Sequence, residues 1–311
     1  MVRKQSNEKS NETVSVKVAE LSPGRRENIM MRKLEIKVDA PQYVVTTDVA
    51  FAQVDAWYGH TRRDLKLDLI YPEDMTGKKY PCIVWICGGA WLTLDKSAHL
   101  FYLSQLARAG FAVASVEYRT SNEAVFPAQL QDVKAAIRYL RAHADRYRID
   151  PNRVGVMGES AGGYLSAMAA LVDDPAYDVG DYTDFGSSVQ AACLWYPPTD
   201  PEGFTRVSPE EAAGAPESLL LGKNIARHKE DAIRISPLSY VTQGAPPFLI
   251  LHGTQDHTVP FAQGKVLYER LQEKGCDAAF LELTGAEHAD IRFFQQEVWD
   301  EIISFFQEKL S

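Results

Sequence analysis

A serine between two glycines could supply a nucleophile for this protein. The segment Gly158-Glu159-Ser160-Ala161-Gly162 follows the apolar run 154–157 and precedes a stretch rich in alanine, leucine and methionine. The run predicts a buried strand and the stretch predicts a helix. A strand that turns directly into a helix needs small residues at the bend, and the glycines provide them. The pattern is that of a nucleophile elbow, which would lift the Ser160 hydroxyl clear of the sheet beside the N-terminus of a helix.

A serine hydroxyl needs a neighbouring base, which a third group must orient. Where the nucleophile stands on such an elbow, the order along the chain is serine, acid, histidine. We interpret His288 as the base because it lies in a loop between the last predicted strand and the last predicted helix. Among the other histidines after Ser160, we interpret His228 as solvated, His252 as structural, and His257 as unable to turn back onto the acid beside it.

Asp256 is the best candidate for the acid. It follows an apolar strand and precedes a helix, and the 32 positions from it to His288 leave room for one helix and one strand. A carboxylate there could hold the imidazole in one tautomer and stabilise the imidazolium. Asp200, after the preceding strand, is the alternative acid, and a loop hydrogen bond is its alternative role.

Acyl transfer also needs N–H donors for the developing oxyanion. The segment Cys87-Gly88-Gly89-Ala90-Trp91 follows the first long apolar strand, and its two glycines permit a tight turn with exposed amides. We expect the amides of Gly89 and Ala90 to act together with that of Ala161, which follows the nucleophile. A purely structural turn is the alternative interpretation.

The elements that must position these residues alternate between strands and helices. Continuously apolar strands predict a parallel sheet covered on both faces, whereas the first two predicted strands favour an antiparallel edge. The sequence therefore predicts an α/β fold with a mostly parallel eight-stranded sheet. The predicted strands are 43–51, 65–71, 82–87, 111–116, 154–157, 191–195, 248–251 and 279–283, and the predicted helices are 97–109, 127–144, 163–172, 261–274 and 290–309.

Two stretches depart from this alternation. Residues 1–35 are mixed in charge and lack periodicity, so we expect an N-terminal arm that is flexible or ordered by a second copy of the chain, which leaves a homo-oligomer open. The remaining residues, 36–311, would form one domain. Within it, residues 199–245 are rich in proline and glycine, with short helices predicted at 209–214 and 216–221. Such a long interval commonly forms a lid over a site, and a surface excursion without substrate contact is the alternative.

The composition narrows the function. The 311 residues carry a formal net charge of −9, so no basic face is expected for nucleic acid or an anionic membrane. The polar N-terminus shows no secretion signal, and the cysteines lack metal-ligand spacing, so we expect a cytoplasmic protein with reduced thiols and no metal site. These cysteines are Cys82, Cys87, Cys193 and Cys276.

Taken together, the motifs resemble those of the α/β-hydrolase superfamily, and more narrowly the hormone-sensitive-lipase-like group and the bacterial feruloyl and acetyl-xylan esterases. The resemblance runs from Leu65 to the C-terminus and is carried by the turn at 88–91, the elbow at 158–162, and segments 252–256 and 285–288. Segments 117–119, 126–132 and 236–241 also match these esterases. The resemblance implies an α/β-hydrolase fold with a small lid insertion, and an ester hydrolase without a cofactor.

One residue departs from the family pattern. Family members usually carry histidine where Cys87 stands, and that histidine is thought to brace the oxyanion loop. The loop would be held differently here, and the thiol is not expected to act as a nucleophile. We expect Glu159, next to the nucleophile, to tie down a neighbouring loop.

The resemblance implies short-chain or aromatic acyl esters as substrates, such as acetylated or feruloylated fragments of plant polysaccharides. Trp91, Trp195 and Tyr196 fall near predicted strand ends and either line an acyl or sugar pocket or pack in the core. One alternative function is a small peptidase of the prolyl-oligopeptidase type, although those enzymes carry a large additional domain for which 311 residues leave no room. A non-catalytic ligand-binding protein on the same scaffold is the other.

Overall fold

The structure is a computed structural model that describes residues 33–38, 40–73, 76–204 and 208–311. The chain divides into two units, Met1–Asp39 and Ala40–Ser311. In the first unit, residues 33–38 are exposed and form neither helix nor strand. Residues 1–32 of the predicted arm lie outside the described residues.

The second unit is built on one eight-stranded sheet, as the apolar runs predicted. The strand order is β1-β2-β4-β3-β5-β6-β7-β8, in which β1 pairs antiparallel with β2, β2 pairs antiparallel with β4, and all other pairs are parallel. The antiparallel edge is therefore confirmed. The strands are β1 Gln42–Ala56, β2 Thr61–Glu73, β3 Tyr80–Ile86, β4 Ala112–Val116, β5 Ile149–Glu159, β6 Ala191–Trp195, β7 Phe248–Gly253 and β8 Ala278–Leu283.

Helices cover both faces of the sheet. No helix in the described part of the chain is both long enough and apolar enough to cross a membrane. The helix predicted at 290–309 is divided, because Gln295 has extended backbone angles between the short 3-10 turn Ile291–Phe294 and the last helix. The helices are α1 Leu100–Arg108, α2 Ala128–Ala142, α3 Ala161–Leu171, α4 Pro201–Phe204, α5 Pro216–Leu221, α6 Lys229–Ala232, α7 Ala262–Glu273 and α8 Gln296–Lys309.

The core consists of two apolar layers, one on each face of the sheet. Strand β3 shows why: Val84 and Ile86 belong to the layer beneath α2 and α3, whereas Ile83 and Trp85 belong to the layer beneath α1 and α8. Successive side chains on a strand point to opposite faces. A strand buried on both faces must therefore be apolar throughout.

The predicted insertion at 199–245 contains short helices and 3-10 turns, and residues 205–207 lie outside the described part. Its first residue is fixed to the domain, because the Gln263 side chain accepts a hydrogen bond from the amide of Thr199 at 2.9 Å. Near its end, the Ser236 hydroxyl donates to the carbonyl oxygen of Thr199 at 3.0 Å. In its middle, the amide of Phe126 donates to the carbonyl of Leu220 at 2.8 Å. The insertion is thus tied to the rest of the domain at two points, Thr199 and Leu220, and its two ends are bonded to each other.

Candidate active site

Ser160 occupies the sharp turn between β5 and α3 that its glycines predicted. Its backbone has φ 51° and ψ −120°, a left-handed conformation that is unfavourable for a residue with a side chain. The surroundings impose it: a Cβ on Gly162 would lie 1.9 Å from the carbonyl oxygen of Ile86, so the helix begins directly against β3. The amide of Ser160 donates to the carbonyl of Trp195 at 2.9 Å. The strain holds the hydroxyl at the carboxyl edge of the sheet.

A chain of hydrogen bonds joins Ser160, His288 and Asp256. The Nε2 atom of His288 lies 3.0 Å from Ser160 Oγ, and its Nδ1 atom lies 2.7 Å from Asp256 Oδ2. In the neutral ring, Nδ1 donates to the carboxylate and Nε2 accepts from the hydroxyl, which is the tautomer a general base requires. The structure therefore brings the three sequence-predicted residues together.

The loops that carry Asp256 and His288 are bonded to each other. The amide of Thr254 donates to the carbonyl of Leu283 at 3.1 Å, and that of Gln255 donates to the carbonyl of Ala286 at 3.0 Å. In return, the amide of Gly285 donates to the Thr254 hydroxyl at 2.9 Å. Because β7 and β8 are neighbours in the sheet, these bonds continue their pairing past the strand ends. The distance between acid and base is thus set by backbone.

Asp256 is held as an ion. Its Oδ1 atom accepts the amides of Thr258 and Val259 at 2.9 and 2.8 Å, and His252 Nε2 lies 3.4 Å from Oδ2. Burial acts to raise the pKa of this carboxyl, but the hydrogen bonds from His252, His288 and the backbone outweigh it and hold the pKa well below its usual range. His252 was predicted to be structural, and its position behind Asp256 shows that it supports the Asp256 carboxylate.

The alternative candidates lie elsewhere. The side chains of His228 and His257 are 49% and 78% exposed, and each faces a surface carboxylate. Asp200 accepts the amide of Gly203 at 3.2 Å at the start of α4. That contact is the loop hydrogen bond named as its alternative role, and it leaves Asp256 as the carboxylate on His288.

The predicted oxyanion loop packs directly on the nucleophile. A Cβ on Gly88 would lie 3.1 Å from the Cβ of Ser160, so the loop passes within van der Waals contact of it. Gly89 has φ 123°, and Ala90 has φ 53°. The carbonyl of Gly89 accepts hydrogen bonds from the amides of Leu92 and Thr93. Within the described part of the chain, the amides of Gly89, Ala90 and Ala161 donate no hydrogen bond.

Glu159 connects the parts of the site. Its Oε1 atom lies 2.9 Å from His99 Nε2, and its Oε2 atom accepts the Tyr196 hydroxyl at 2.6 Å. Burial acts to raise its pKa, but the hydrogen bonds from His99, Tyr196 and the amide of Gly88 lower it below its ordinary value. The Tyr196 ring in turn meets the His288 ring edge-on at 4.5 Å. One carboxylate thus links the elbow, the oxyanion loop and the side of the base.

The thiol of Cys87 completes this cluster. Its Sγ atom lies 3.7 Å from Glu159 Oε1, and burial together with the negative charge of Glu159 raises the pKa of the thiol to about 12. It is therefore protonated at neutral pH and is no nucleophile. Donor atoms of Cys87, His99 and Glu159 all lie within 4.8 Å of one another, a spacing at which they could hold a metal ion. His99 and Cys87 already hydrogen-bond to Glu159, so the cluster is satisfied by its own contacts.

The aromatic residues named from the strand ends lie inside the protein. Trp91 is 2% exposed and packs on Tyr164, and Trp195 is fully buried between Trp85 and Trp299. Of the two interpretations given above, the structure supports core packing for both tryptophans and not the pocket lining. Tyr196 is also fully buried, and its hydroxyl is used by Glu159. His99 carried no sequence signal, because it lies outside every motif.

The chain is similar to known esterases. The BD-FAE family model matches residues 67–271. Esterase LipC of Mycobacterium tuberculosis is 34% identical over 266 residues, which cover 82% of this chain and 66% of LipC. The chain spans 56% and 55% of two further mycobacterial relatives, LipQ and LipM.

Solved structures show the same fold. A truncated carbohydrate esterase from gut microbiota is 33% identical with a TM-score of 0.75, and the match covers 87% of this chain and 99% of that one. The butyrate-bound esterase Est2 of Thermogutta terrifontis is 26% identical with a TM-score of 0.66, covering 79% and 88% of the two chains. The sheet order, the elbow and these matches agree, and the chain therefore belongs to the BD-FAE family of α/β-hydrolases.

Proposed function

We propose that this chain is a serine carboxylesterase with Ser160 as nucleophile, His288 as general base and Asp256 as the orienting acid. The observation that carries the proposal is the hydrogen-bonded chain from Ser160 Oγ through His288 to Asp256, at 3.0 and 2.7 Å. The relatives support it, because LipC is named an esterase and the structural neighbours are esterases.

In the first half of the reaction, Ser160 Oγ attacks the ester carbonyl carbon while His288 Nε2 takes the hydroxyl proton. Ionised Asp256 stabilises the imidazolium that forms. The carbonyl oxygen becomes an oxyanion, which the amides of Gly89, Ala90 and Ala161 stabilise with the positive end of α3. His288 then gives its proton to the leaving alkoxide, and the alcohol departs from the acyl-enzyme.

In the second half, a water molecule replaces the alcohol. His288 Nε2 takes a proton from the water, whose oxygen attacks the acyl carbon of the Ser160 ester. The tetrahedral intermediate collapses when the proton passes from His288 to Ser160 Oγ, and the carboxylic acid leaves. Both halves use the same base and the same three amides. Because the first forms the Ser160 ester and the second hydrolyses it, removal of the hydroxyl stops both.

The proposed substrates are short-chain or aromatic acyl esters, such as acetylated or feruloylated fragments of plant polysaccharides. The neighbour from gut microbiota is named a carbohydrate esterase, which supports a sugar as the alcohol. The Thermogutta terrifontis neighbour holds butyrate, which supports a short acyl group.

The test compares wild type with Ser160→Ala on p-nitrophenyl acetate, butyrate and octanoate, on methyl ferulate and on acetylated xylo-oligosaccharide. We expect turnover by wild type on the short or sugar esters, and a loss of about three orders of magnitude or more in Ser160→Ala. Circular dichroism checks that both proteins are folded. Equal turnover by the two proteins, or none by wild type on any ester, would refute the proposal.

A further inference from the structure

We infer that the turn between β1 and β2 is a binding platform for the oligosaccharide part of the ester, an inference that rests on the proposed function. Trp57 and Tyr58 are consecutive residues of this turn, with 70% and 96% of their surface exposed. Scattered apolar side chains are normal on a protein surface, but contiguous ones mark a binding site. We call this pair the aromatic platform.

The backbone of the turn gives a second and independent reason. Trp57 and Tyr58 have φ values of 44° and 56°, and Gly59 follows at 79°. This left-handed region suits glycine and is tolerated by asparagine, whereas large side chains are unfavourable there. Folding alone would therefore favour glycine or asparagine at positions 57 and 58. Strain of this kind points to a role outside folding.

The aromatic platform forms one wall of a cleft of about 510 Å³. The opposite wall is polar and comes from the loop after β4, with Arg119, Asn122 and Glu123. A sugar ring has an apolar face of C–H groups and an edge of hydroxyls, so it fits between an aromatic wall and a polar one. The ring of His60 packs against Trp57 at 5.2 Å and so limits how the indole can turn.

The charges in the cleft favour a neutral ligand. Arg119 is held by Asp132, with its Nη2 atom 2.7 Å from the carboxylate. The carboxylate of Glu123 is 2.6 Å from Arg63 Nε. Because each of these two charges has a partner, the cleft offers no unpaired cation from this loop to a phosphate or a carboxylate. An uncharged saccharide fits both the aromatic and polar walls and the absence of an unpaired cation in this loop, whereas an anionic ligand does not.

The cleft lies on the same edge of the sheet as Ser160. β2 runs antiparallel to β4, and its first residue, Thr61, lies six residues beyond Leu67, which pairs with the last residue of β4. At the rise of a strand, the turn stands about 20 Å beyond the carboxyl end of β4. In the strand order, β4 and β3 lie between β2 and β5, so three strand spacings add about 15 Å sideways to the elbow. An oligosaccharide of several sugars can span this interval.

Hydrogen bonds connect the cleft to the oxyanion loop. The amide of Ser121 donates to the carbonyl of Trp91 at 2.7 Å, and the Asn122 side chain donates to the carbonyl of Leu92 at 2.9 Å. The polar wall is therefore fixed to the segment that follows Gly89 and Ala90. A sugar bound in the cleft would continue along this segment toward the serine.

The test uses the full-length double variant Trp57→Asn/Tyr58→Asn, which removes the aromatic platform and relieves the strained turn. Phe101→Ala, which removes an 80% exposed aromatic on α1, is the matched control. We expect KM for long acetylated xylo-oligosaccharides to rise about tenfold in the double variant, with KM for p-nitrophenyl acetate unchanged. Phe101→Ala should match wild type on both substrates. An unchanged KM on the oligosaccharides, or an equal rise on p-nitrophenyl acetate, would overturn the inference.

A binding measurement separates this inference from the proposed function. Unacetylated xylo-oligosaccharide is titrated into Ser160→Ala with and without the two asparagines, and tryptophan fluorescence or calorimetry records binding. Binding that depends on the aromatic platform supports the inference even where no ester is hydrolysed. Equal binding by both proteins would overturn it. So would a change in sedimentation coefficient in the double variant without a change in binding, since the turn would then be a contact between two copies.

Discussion

The replacement of Asp256 by asparagine tests the proposed triad most sharply, because the structure fixes how the new side chain must sit. The amides of Thr258 and Val259 both donate to Oδ1, at 2.9 and 2.8 Å. In Asp256→Asn, the amide oxygen has to take this position, so the NH2 group faces His288 Nδ1. Nδ1 must then accept a hydrogen bond, which leaves the ring proton on Nε2, facing Ser160. The base is held in the wrong tautomer.

The magnitude follows from the loss of the base. We expect kcat to fall by about 10³- to 10⁴-fold, which is about 4–5.5 kcal/mol of transition-state stabilisation, with little change in KM. Asp200→Asn is the control, because among the described residues that carboxylate accepts only the amide of Gly203. Steady-state kinetics on p-nitrophenyl acetate give both numbers, and thermal unfolding checks the fold. If Asp256→Asn kept activity within about tenfold of wild type, the tautomer argument and the role of Asp256 would both be wrong.

The remaining predictions concern the support of the nucleophile. Gly162→Ala should lower the free energy of unfolding by about 3 kcal/mol or more, because its Cβ would lie 1.9 Å from the carbonyl oxygen of Ile86. Gly186→Ala is the control, because Gly186 has open space around it and its replacement should leave that free energy unchanged. Urea unfolding measures both variants. Glu159→Gln should lower the free energy of unfolding by about 1.5–3 kcal/mol at pH 7. Because the folded pKa of Glu159 lies below its ordinary 4.5, this difference is full above pH 4.5 and should narrow as the pH falls further, and a constant difference down to pH 3 would contradict it. Iodoacetamide at pH 8 should leave esterase activity intact, because the pKa of the buried Cys87 thiol is about 12; mass spectrometry identifies any cysteine that reacts.

The fold was predictable because each central strand of this sheet can be recognised from its own residues. A strand buried on both faces has to be apolar throughout, so runs such as 191–195 can be found without knowledge of their neighbours. The elbow was equally visible, since its glycines are required by contacts as close as that between Gly162 and Ile86. The length of the first hairpin was underestimated, because its exposed ends, including the turn at Trp57, carry no alternation of apolar residues.

The support of the site was less predictable than its reacting residues. His288 and Asp256 lie at strand ends, where loop position limits the choices. His99 meets Glu159 only through the packing of α1 against the sheet, and no spacing along the chain encodes that contact. The tryptophans at 91 and 195 show a second limit. Their places near strand ends left pocket lining and core packing equally open, and only the structure shows that these large side chains fill the space beneath the loops.

The cluster of Cys87, His99 and Glu159 also limits how parts of this protein can be exchanged with those of its relatives. One imidazole already occupies Glu159 Oε1, and it comes from the segment before α1 instead of from the loop it supports. A histidine at position 87, the residue that the resemblance implies for the family, would therefore place two rings against one carboxylate. Positions 87 and 99 should show strong epistasis, in which each change is harmful alone and tolerated when both are made. Chimeras would need to take both positions from the same parent.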